Sequence, residues 1–319
     1  MKRFLEAPYR FALCWTALLL TAFGWALLDT FVIPHRERIA AEVRQTIAKA
    51  AETLAPDGQA GAQSAVEGTD AQDQYGAAAE ATDTSYRDGA IEIQIQTFQY
   101  ESTTCYAADV RLGSPDLLKA AFAEDTYGRN IRQPTSEIAA QNSAVLAING
   151  DYYGSRNSGY VLRNGVCYRA ASGSADALLV DMDGNFSIAA GGGLTAEQAA
   201  EMWQVFSFGP ALVVDGAVGV EAGDEVAQAK LSNPRTAIGQ IGPLHYLFLV
   251  SDGRTEESEG LSLLDLAEIM RELGCQTAYN LDGGGSSTMV FMGEVVNRPT
   301  TNGRSISERA VSDIVYIGH

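Results

Sequence analysis

The sequence predicts an α/β protein of the α+β kind, with a mixed β-sheet, several antiparallel hairpins and flanking helices, preceded by one transmembrane helix. Three observations point there. A long, largely apolar stretch lies near the start of the chain, turn dipeptides separate apolar strand-like runs in its middle, and a well-capped amphipathic helix lies between two apolar strands near its end.

In residues 11–33 only Thr16, Thr21, Gly24, Asp29 and Thr30 interrupt an apolar run. Its length matches the roughly 20 residues a helix needs to cross a bilayer. Lys2, Arg3 and Arg10 precede it, and basic residues tend to stay cytoplasmic. The expected arrangement is a cytoplasmic terminus (1–10), a single-pass anchor in the cell membrane (11–33), a helical stalk and disordered tether (34–88), and a folded domain outside the cytoplasm (89–319). Ile39, Val43 and Ile47 recur at helical spacing in the stalk, whereas residues 56–88 hold almost no large apolar side chains with which to fold.

The domain opens with Ile91, Ile93 and Ile95 alternating with polar residues, and a second strand is expected over 104–112. Ser114 before Pro115 has the chemistry of a helix start, which predicts a helix running to Ala123. Asn164-Gly165, Asp183-Gly184 and Asp215-Gly216 each separate apolar runs and predict hairpins. Thr195 with Gln198, and Ser262 with Asp265, predict two capped helices. The second carries Leu263, Leu266, Ala267, Met270 and Leu273 on one face before Gly274 ends it. Strands are expected on either side of that helix, over 244–250 and 276–281. If these are parallel neighbours, a right-handed crossover brings the loops 251–254 and 282–287 to one sheet edge, where ligands commonly bind.

Composition removes several function classes. A net charge of −18 argues against nucleic acid as a partner. The three histidines, His35, His245 and His319, are too scattered for a Ser-His-Asp triad or a histidine metal centre. Beyond Cys14 in the anchor, Cys105, Cys167 and Cys275 permit at most one disulfide and contain no CxxC pair. Asp181, Asp183 and Asn185 begin like a calcium loop, but Phe186 and Gly192 stand where that loop needs Gly and Glu, so they are expected to form a hairpin turn.

The loop Asp282-Gly283-Gly284-Gly285-Ser286-Ser287 is the most informative segment. Three glycines allow backbone amides to converge on an anion, two serines add donors, and Asp282 offers a carboxylate. A strand-like run follows at 288–291, where a nucleotide-binding loop would require a helix.

Other strand ends carry similar chemistry. The motifs AINGDYYG (147–154), NPRTAIG (233–239), SDGR (251–254), NLDGGGSSTMV (280–290) and ERAVSD (308–313) together resemble the phosphodiester glycosidase family, over roughly residues 91–317. Asp151-Tyr152-Tyr153 departs from the Gly-Phe-Phe of many relatives. The resemblance implies hydrolysis of a bond between a sugar's anomeric carbon and a phosphate oxygen, hence a phosphate-linked carbohydrate substrate. Its leaving group is a phosphomonoester with a second pKa of about 6.

Applied to that chemistry, Arg235 and Arg254 are candidates to grip the phosphate, with Thr236, Gly283, Gly284, Gly285, Ser286, Ser287 and Arg309 completing the binding wall. Asp282 and Asp252 are the candidate catalytic carboxylates, Glu308 is held in reserve, and Asn149 and Asp151 are candidates for sugar hydroxyls. No cofactor is required by these residues, although Asp252, Asp282 and Glu308 offer oxygen ligands suited to a divalent cation. Two non-enzymatic alternatives use the same features: a module that binds phosphoglycans, and a scaffold in envelope polysaccharide export.

Overall fold

The structure, a computed structural model, describes residues 8–36, 79–171, 173, 175–224 and 232–319. The expected stalk and most of the tether lie outside the described residues. Helix α1 (Pro8–Phe31) is long and apolar enough to cross a membrane, and none of its central span Ala12–Thr30 is buried in the protein. Directly after it, β1 (His35–Arg36) runs onto the folded body.

The body begins with β2 (Glu80–Ala81) and β3 (Ser85–Arg87), which precede Gly89, followed by the long hairpin β4 (Ile91–Tyr100) and β5 (Thr103–Leu112). Residues after Ser114 depart from expectation. A single 3-10 turn at Pro115–Leu117 gives way to strand β6 (Leu118–Phe122) rather than to a helix. Leu118, Ala120 and Phe122 are buried and alternate with half-buried Lys119 and Ala121, a period of two that a helix cannot satisfy. Then come β7 (Gly128–Arg129), α2 (Thr135–Gln141), β8 (Leu146–Asn149), the hairpin β9 (Gly159–Arg163) and β10 (Val166–Ala171), and the hairpin β11 (Ala177–Asp181) and β12 (Phe186–Ala189). The chain continues through α3 (Ala196–Ala200), β13 (Met202–Phe206), β14 (Ala211–Val214), β15 (Ala217–Val218), β16 (Thr236–Gly242), β17 (His245–Ser251), α4 (Leu263–Glu272), β18 (Thr277–Asn280), β19 (Met289–Phe291), β20 (Glu294–Val295) and β21 (Asp313–Ile317). Both expected capping boxes form, at Thr195 and at Ser262.

Three main sheets result: nine strands in the order β15-β14-β18-β16-β17-β5-β4-β3-β2, five in the order β10-β9-β13-β11-β12, and five in the order β20-β19-β8-β21-β6. Every pairing in them is antiparallel. The strands flanking α4 are therefore not neighbours. β17 and β18 run the same way, but β16 lies between them and pairs with both. Their C-terminal loops still emerge at one edge of the sheet.

The large sheet is covered on both faces, which is why β17 is an almost continuous buried apolar run. On one face the two smaller sheets pack through Leu146, Leu178, Phe206, Met289 and Val315 against Ile93, Phe248 and Tyr279. On the other, Leu263, Leu266 and Met270 of α4 pack on Ala237, Leu247 and Leu249. The cysteines are free thiols, and Cys105, Cys167 and Cys275 are buried, so the core holds the fold without a disulfide. His245 opens β17 and faces Asp109 at 2.9 Å.

Helix α1 ends on the folded body. β1 pairs with β7, and the Asn130 side-chain amide donates to the carbonyls of Thr30 (3.1 Å) and Ile33 (3.0 Å).

Candidate active site

Two sheets meet where β8, β18 and β21 end or begin. The Gly150 amide donates to the Asp313 carbonyl (2.9 Å), and the Asp282 amide donates to the Gly150 carbonyl (3.1 Å). Asn149 bolts the same junction from inside. Its Nδ2 donates to the Asp282 carbonyl (2.6 Å), while its Oδ1 accepts from Thr236 Oγ1 (2.8 Å) and from the Thr288 amide (3.2 Å). Asn149 and Thr236 are wholly buried, so they position the loops rather than face a ligand.

A small cavity of roughly 90 Å³ opens over this junction, lined by Arg132, Gly150, Tyr152, Asp282 and the segment from Arg309 to Asp313. Asp282 Oδ2 accepts from Ser286 Oγ (2.6 Å) and Arg309 Nη2 (3.2 Å), which leaves Oδ1 for a ligand. Arg309 is locked in turn, its Nε and Nη2 donating to Ser286 Oγ (2.9 and 2.6 Å) and its Nη2 to the Gly283 carbonyl (3.1 Å). Burial pushes the Asp282 carboxyl above the usual carboxylate range, against the pull of the Arg309 charge and the Ser286 hydroxyl. Tyr152 presents a partly exposed ring to the cavity from a left-handed backbone (φ 67°).

Behind the cavity lies a buried ionic trio. Arg163 Nη2 sits 3.0 Å from Asp151 Oδ2 and 2.8 Å from Asp313 Oδ2, and its Nε donates to Asp313 Oδ2 at 3.0 Å. Its guanidinium stacks 4.1 Å from the centre of the Phe206 ring. Burial works against the Arg163 charge, but the two carboxylates outweigh it and hold the side chain cationic. Asp151 also accepts from the amides of Tyr153 (3.2 Å) and Ser207 (2.9 Å).

The remaining sequence candidates lie around this centre. Arg254 packs on the far side of the glycine loop, where a Cβ on Gly284 would come within 2.7 Å of its Nη2. It donates to Asn233 Oδ1 (2.9 and 3.2 Å) and the Thr301 carbonyl (2.6 Å), and it lines a separate cleft with Ser232, Glu259 and Asn302. Burial, then the charges of Arg309 and Arg235, lower its pKa. Arg235 is buried and donates from Nε to the Leu261 carbonyl (2.9 Å). The amides of Ser286 and Ser287 donate within their own turn, to the carbonyls of Gly283 and Gly284, and the Gly284 amide donates to the Pro234 carbonyl at the start of the neighbouring segment. Gly285 is packed against Thr301. Asp252 accepts from Tyr106 Oη (3.0 Å), Asn297 Nδ2 (3.3 Å) and the Arg298 amide (2.8 Å). Glu308 accepts from the Ser136 amide (3.0 Å) and hydroxyl, at the start of α2.

Residues 142–318, more than half of the chain, match the family model for phosphodiester glycosidase. The chain belongs to the phosphodiester glycosidase family. Among curated proteins it is 27% identical over 201 residues to the SPbeta prophage-derived uncharacterized protein YomE of Bacillus subtilis, covering 60% of this chain and 31% of that protein. It is 35% identical over 80 residues to the N-acetylglucosamine-1-phosphodiester alpha-N-acetylglucosaminidase of Mus musculus, covering 25% of this chain and 15% of the relative. The match thus spans less than a third of either curated relative. Its fold resembles the zebrafish catalytic domain of that enzyme, auto-inhibited by pro-peptide, with a TM-score of 0.56 at 19% identity, covering 72% of this chain and 83% of the other. A hypothetical protein from Synechocystis aligns with a TM-score of 0.54 at 15% identity, covering 72% and 62%.

Four cavity or near-cavity residues of this phosphodiester glycosidase carried no role in the sequence-based assignment: Arg132, Tyr152, Arg163 and Asp313. Asp313 closes the last motif and opens an otherwise apolar, fully buried strand, and a carboxylate in that position is itself a signal. Among the described residues, no three His, Cys, Asp or Glu side chains are gathered to hold a metal ion. Asp252, Asp282 and Glu308 each engage different partners.

Proposed function

We propose that this phosphodiester glycosidase hydrolyses the bond between a sugar's anomeric carbon and a phosphate in a cell-surface or exported glycan, in the cavity lined by Gly150, Asp282 and Arg309. One observation carries the proposal: a desolvated carboxylate, held at one oxygen by Arg309 and Ser286, lines the cavity at the centre of the family's motifs. Asp282 Oδ1 serves the anomeric carbon or the attacking water. Arg309 and Arg132 supply positive charge for the departing phosphate, which needs electrostatic stabilisation more than a strong acid. Tyr152 offers an apolar platform to a sugar face. Arg254 and Arg235, behind the glycine loop, add positive potential from the other side.

The length and composition of α1 support an anchored domain outside the cytoplasm. The hydrogen bonds from Asn130 to the end of α1 lie two residues from cavity-lining Arg132, so an anchored domain holds its cavity close to the membrane. The test is a screen of sugar-1-phosphodiesters against the full chain, with and without chelator, beside Asp282→Asn. Turnover that the substitution abolishes is expected. Undiminished turnover by Asp282→Asn removes the assignment, and binding without turnover by the unmodified protein favours a phosphoglycan-binding module instead.

A further inference from the structure

Helix α1 meets the folded body at a defined depth. Its apolar span Ala12–Thr30 is about 28 Å long at 1.5 Å per residue, close to the ~30 Å hydrocarbon core of a bilayer. When α1 spans a membrane, Thr30 therefore stands at the edge of that core. The body touches the helix at this level. The Asn130 side-chain amide donates to the carbonyls of Thr30 and Ile33, and β1 pairs with β7, His35 opposite Arg129 and Arg36 opposite Gly128. Chain length does not force the contact, since residues 37–78 reach more than ~100 Å at about 3.3 Å per residue. Nor does general electrostatics, because a net charge of −18 is not drawn to an anionic bilayer. The specific bonds to the end of α1 hold the body there.

From that contact two short links lead to the cavity. The Asn130 backbone amide donates to the Gly154 carbonyl (3.1 Å), and a Cβ on Gly154 would come within 3.3 Å of the Gly128 carbonyl in β7. Tyr152 lies two residues before Gly154, and Arg132, two residues after Asn130, donates to Ser155 Oγ (2.7 Å) in the same turn. Tyr152 and Arg132 both line the cavity. One strand spacing of about 4.8 Å and two residues of chain put this rim on the order of 10–15 Å from the hydrocarbon. The headgroups of one leaflet fill about 5–8 Å of that distance. A partly exposed tyrosine suits such a level, where its ring meets the apolar side and its hydroxyl meets water.

The cavity is too small to enclose a whole glycoside. At roughly 90 Å³ it is well under the ~300–1,000 Å³ of pockets that surround a complete small ligand, so the group beyond the phosphate lies outside and crosses the rim. We propose that this group is a lipid: the substrate is a lipid-linked sugar phosphate in the same leaflet, whose headgroup enters over Tyr152 and Arg132. The inference rests on the hydrolytic function and the anchored domain proposed above. A docked body receives such a headgroup at the height where the bilayer already presents it. Water supplies the new hydroxyl on the anomeric carbon, and the bridging oxygen keeps the electron pair of the broken bond. The sugar departs into water, and the lipid monophosphate stays in the membrane.

The test uses the full chain reconstituted in phosphatidylcholine vesicles. Glucose-, galactose- and N-acetylglucosamine-1-phosphate are each offered esterified with dipalmitoylglycerol or with methanol. At equal bulk concentration a lipid ester should be hydrolysed at least about tenfold faster than its methyl counterpart. Asn130→Asp keeps a residue that tolerates the left-handed backbone (φ 59°) but turns the donor to two carbonyls into a carboxylate they repel. It should slow the lipid ester about tenfold and leave the methyl ester within about twofold. Asn130→Gly, which removes the amide without adding charge, should shift the ratio the same way. A lipid preference that both variants retain in full reflects partitioning alone and overturns the proposal, as does an equal loss on both esters. Equal turnover of the two esters by the unmodified protein overturns it with hydrolysis intact, and so does an intact mass of the membrane-extracted protein that shows α1 removed. Turnover of neither ester removes the hydrolytic function, and this inference with it.

Discussion

The Asp313 carboxylate occupies the space where a side chain at position 150 would begin: a Cβ on Gly150 would lie 2.2 Å from Oδ1 and 2.5 Å from Cγ. Glycine at the end of β8 is thus a requirement of the neighbouring strand's first residue, not of its own backbone angles. Gly150→Ala must displace Asp313 or part the two strands. We expect a cost of about 1–3 kcal/mol in urea unfolding. Turnover should fall by roughly 100-fold, because the Gly150 carbonyl also holds the Asp282 amide and a shift there misplaces the Asp282 carboxylate. Unfolding and kcat measured on the same preparation test both, and wild-type turnover would separate the Gly150 junction from the chemistry.

Arg309 reaches Asp282, Ser286 and the Gly283 carbonyl with one planar fork. Arg309→Lys keeps the charge and loses the fork, so kcat/KM should fall about 10- to 100-fold, or ~1.4–2.7 kcal/mol of transition-state stabilisation. Because the arginine is partly exposed, stability should change by less than about 1 kcal/mol. Steady-state kinetics of the lysine variant decide the point; an unchanged kcat/KM removes Arg309 from the site.

Stability should decline as pH rises from mildly acid to neutral. Asp282 and Asp313 both titrate above ordinary carboxylates. Between the unfolded value of about 4 and their raised values, the folded chain holds more protons than the unfolded one. Their contribution is complete below about pH 4 and is lost as pH climbs through the folded pKa values. Asp88 acts oppositely and in another window. Despite its burial, hydrogen bonds from His319 and the amides of Ala90 and Ile91 bring it down to about 2, so its contribution disappears only as pH falls towards that value. Urea unfolding between pH 5 and 8 should therefore show a falling curve for the wild type and a flatter one for Asp313→Asn. A rising wild-type curve would contradict the assignment.

Glu308 supplies the acceptor that the first turn of α2 lacks in its own sequence, since Pro134 occupies the capping position without a side-chain bond. Glu308→Ala should cost about 0.5–2 kcal/mol of stability, as for loss of a helix cap. Its turnover should stay within a few-fold of the wild type. A collapse of kcat at unchanged stability would return Glu308 to the reacting groups.

Local chemistry carried much of the fold in the sequence. The turns at Asn164-Gly165, Asp183-Gly184 and Asp215-Gly216, and the capping boxes at Thr195 and Ser262, depend on residues within a few positions of one another, and they form as expected. Ser114-Pro115 misleads because the same pair also opens a 3-10 turn, and the conformation of residues 118–122 is decided by pairing with β21, far along the chain. The strands around α4 were legible as parallel, but not the strand β16 between them, which comes from upstream sequence. The cavity was partly legible for the same reason. Asp282 and Arg309 advertise themselves by their polar loops, whereas Arg163 gains its meaning only from Asp313, 150 residues away.

The trio of Asp151, Arg163 and Asp313 also has a bearing on robustness. Buried ions gain from one another about what they lose in leaving water, and well-packed apolar residues in such places are often worth about 1–4 kcal/mol more. The region behind the cavity is thus a soft spot in the packing. A tougher protein is reached there only by replacing all three together, since removing one member leaves a buried charge without its partner.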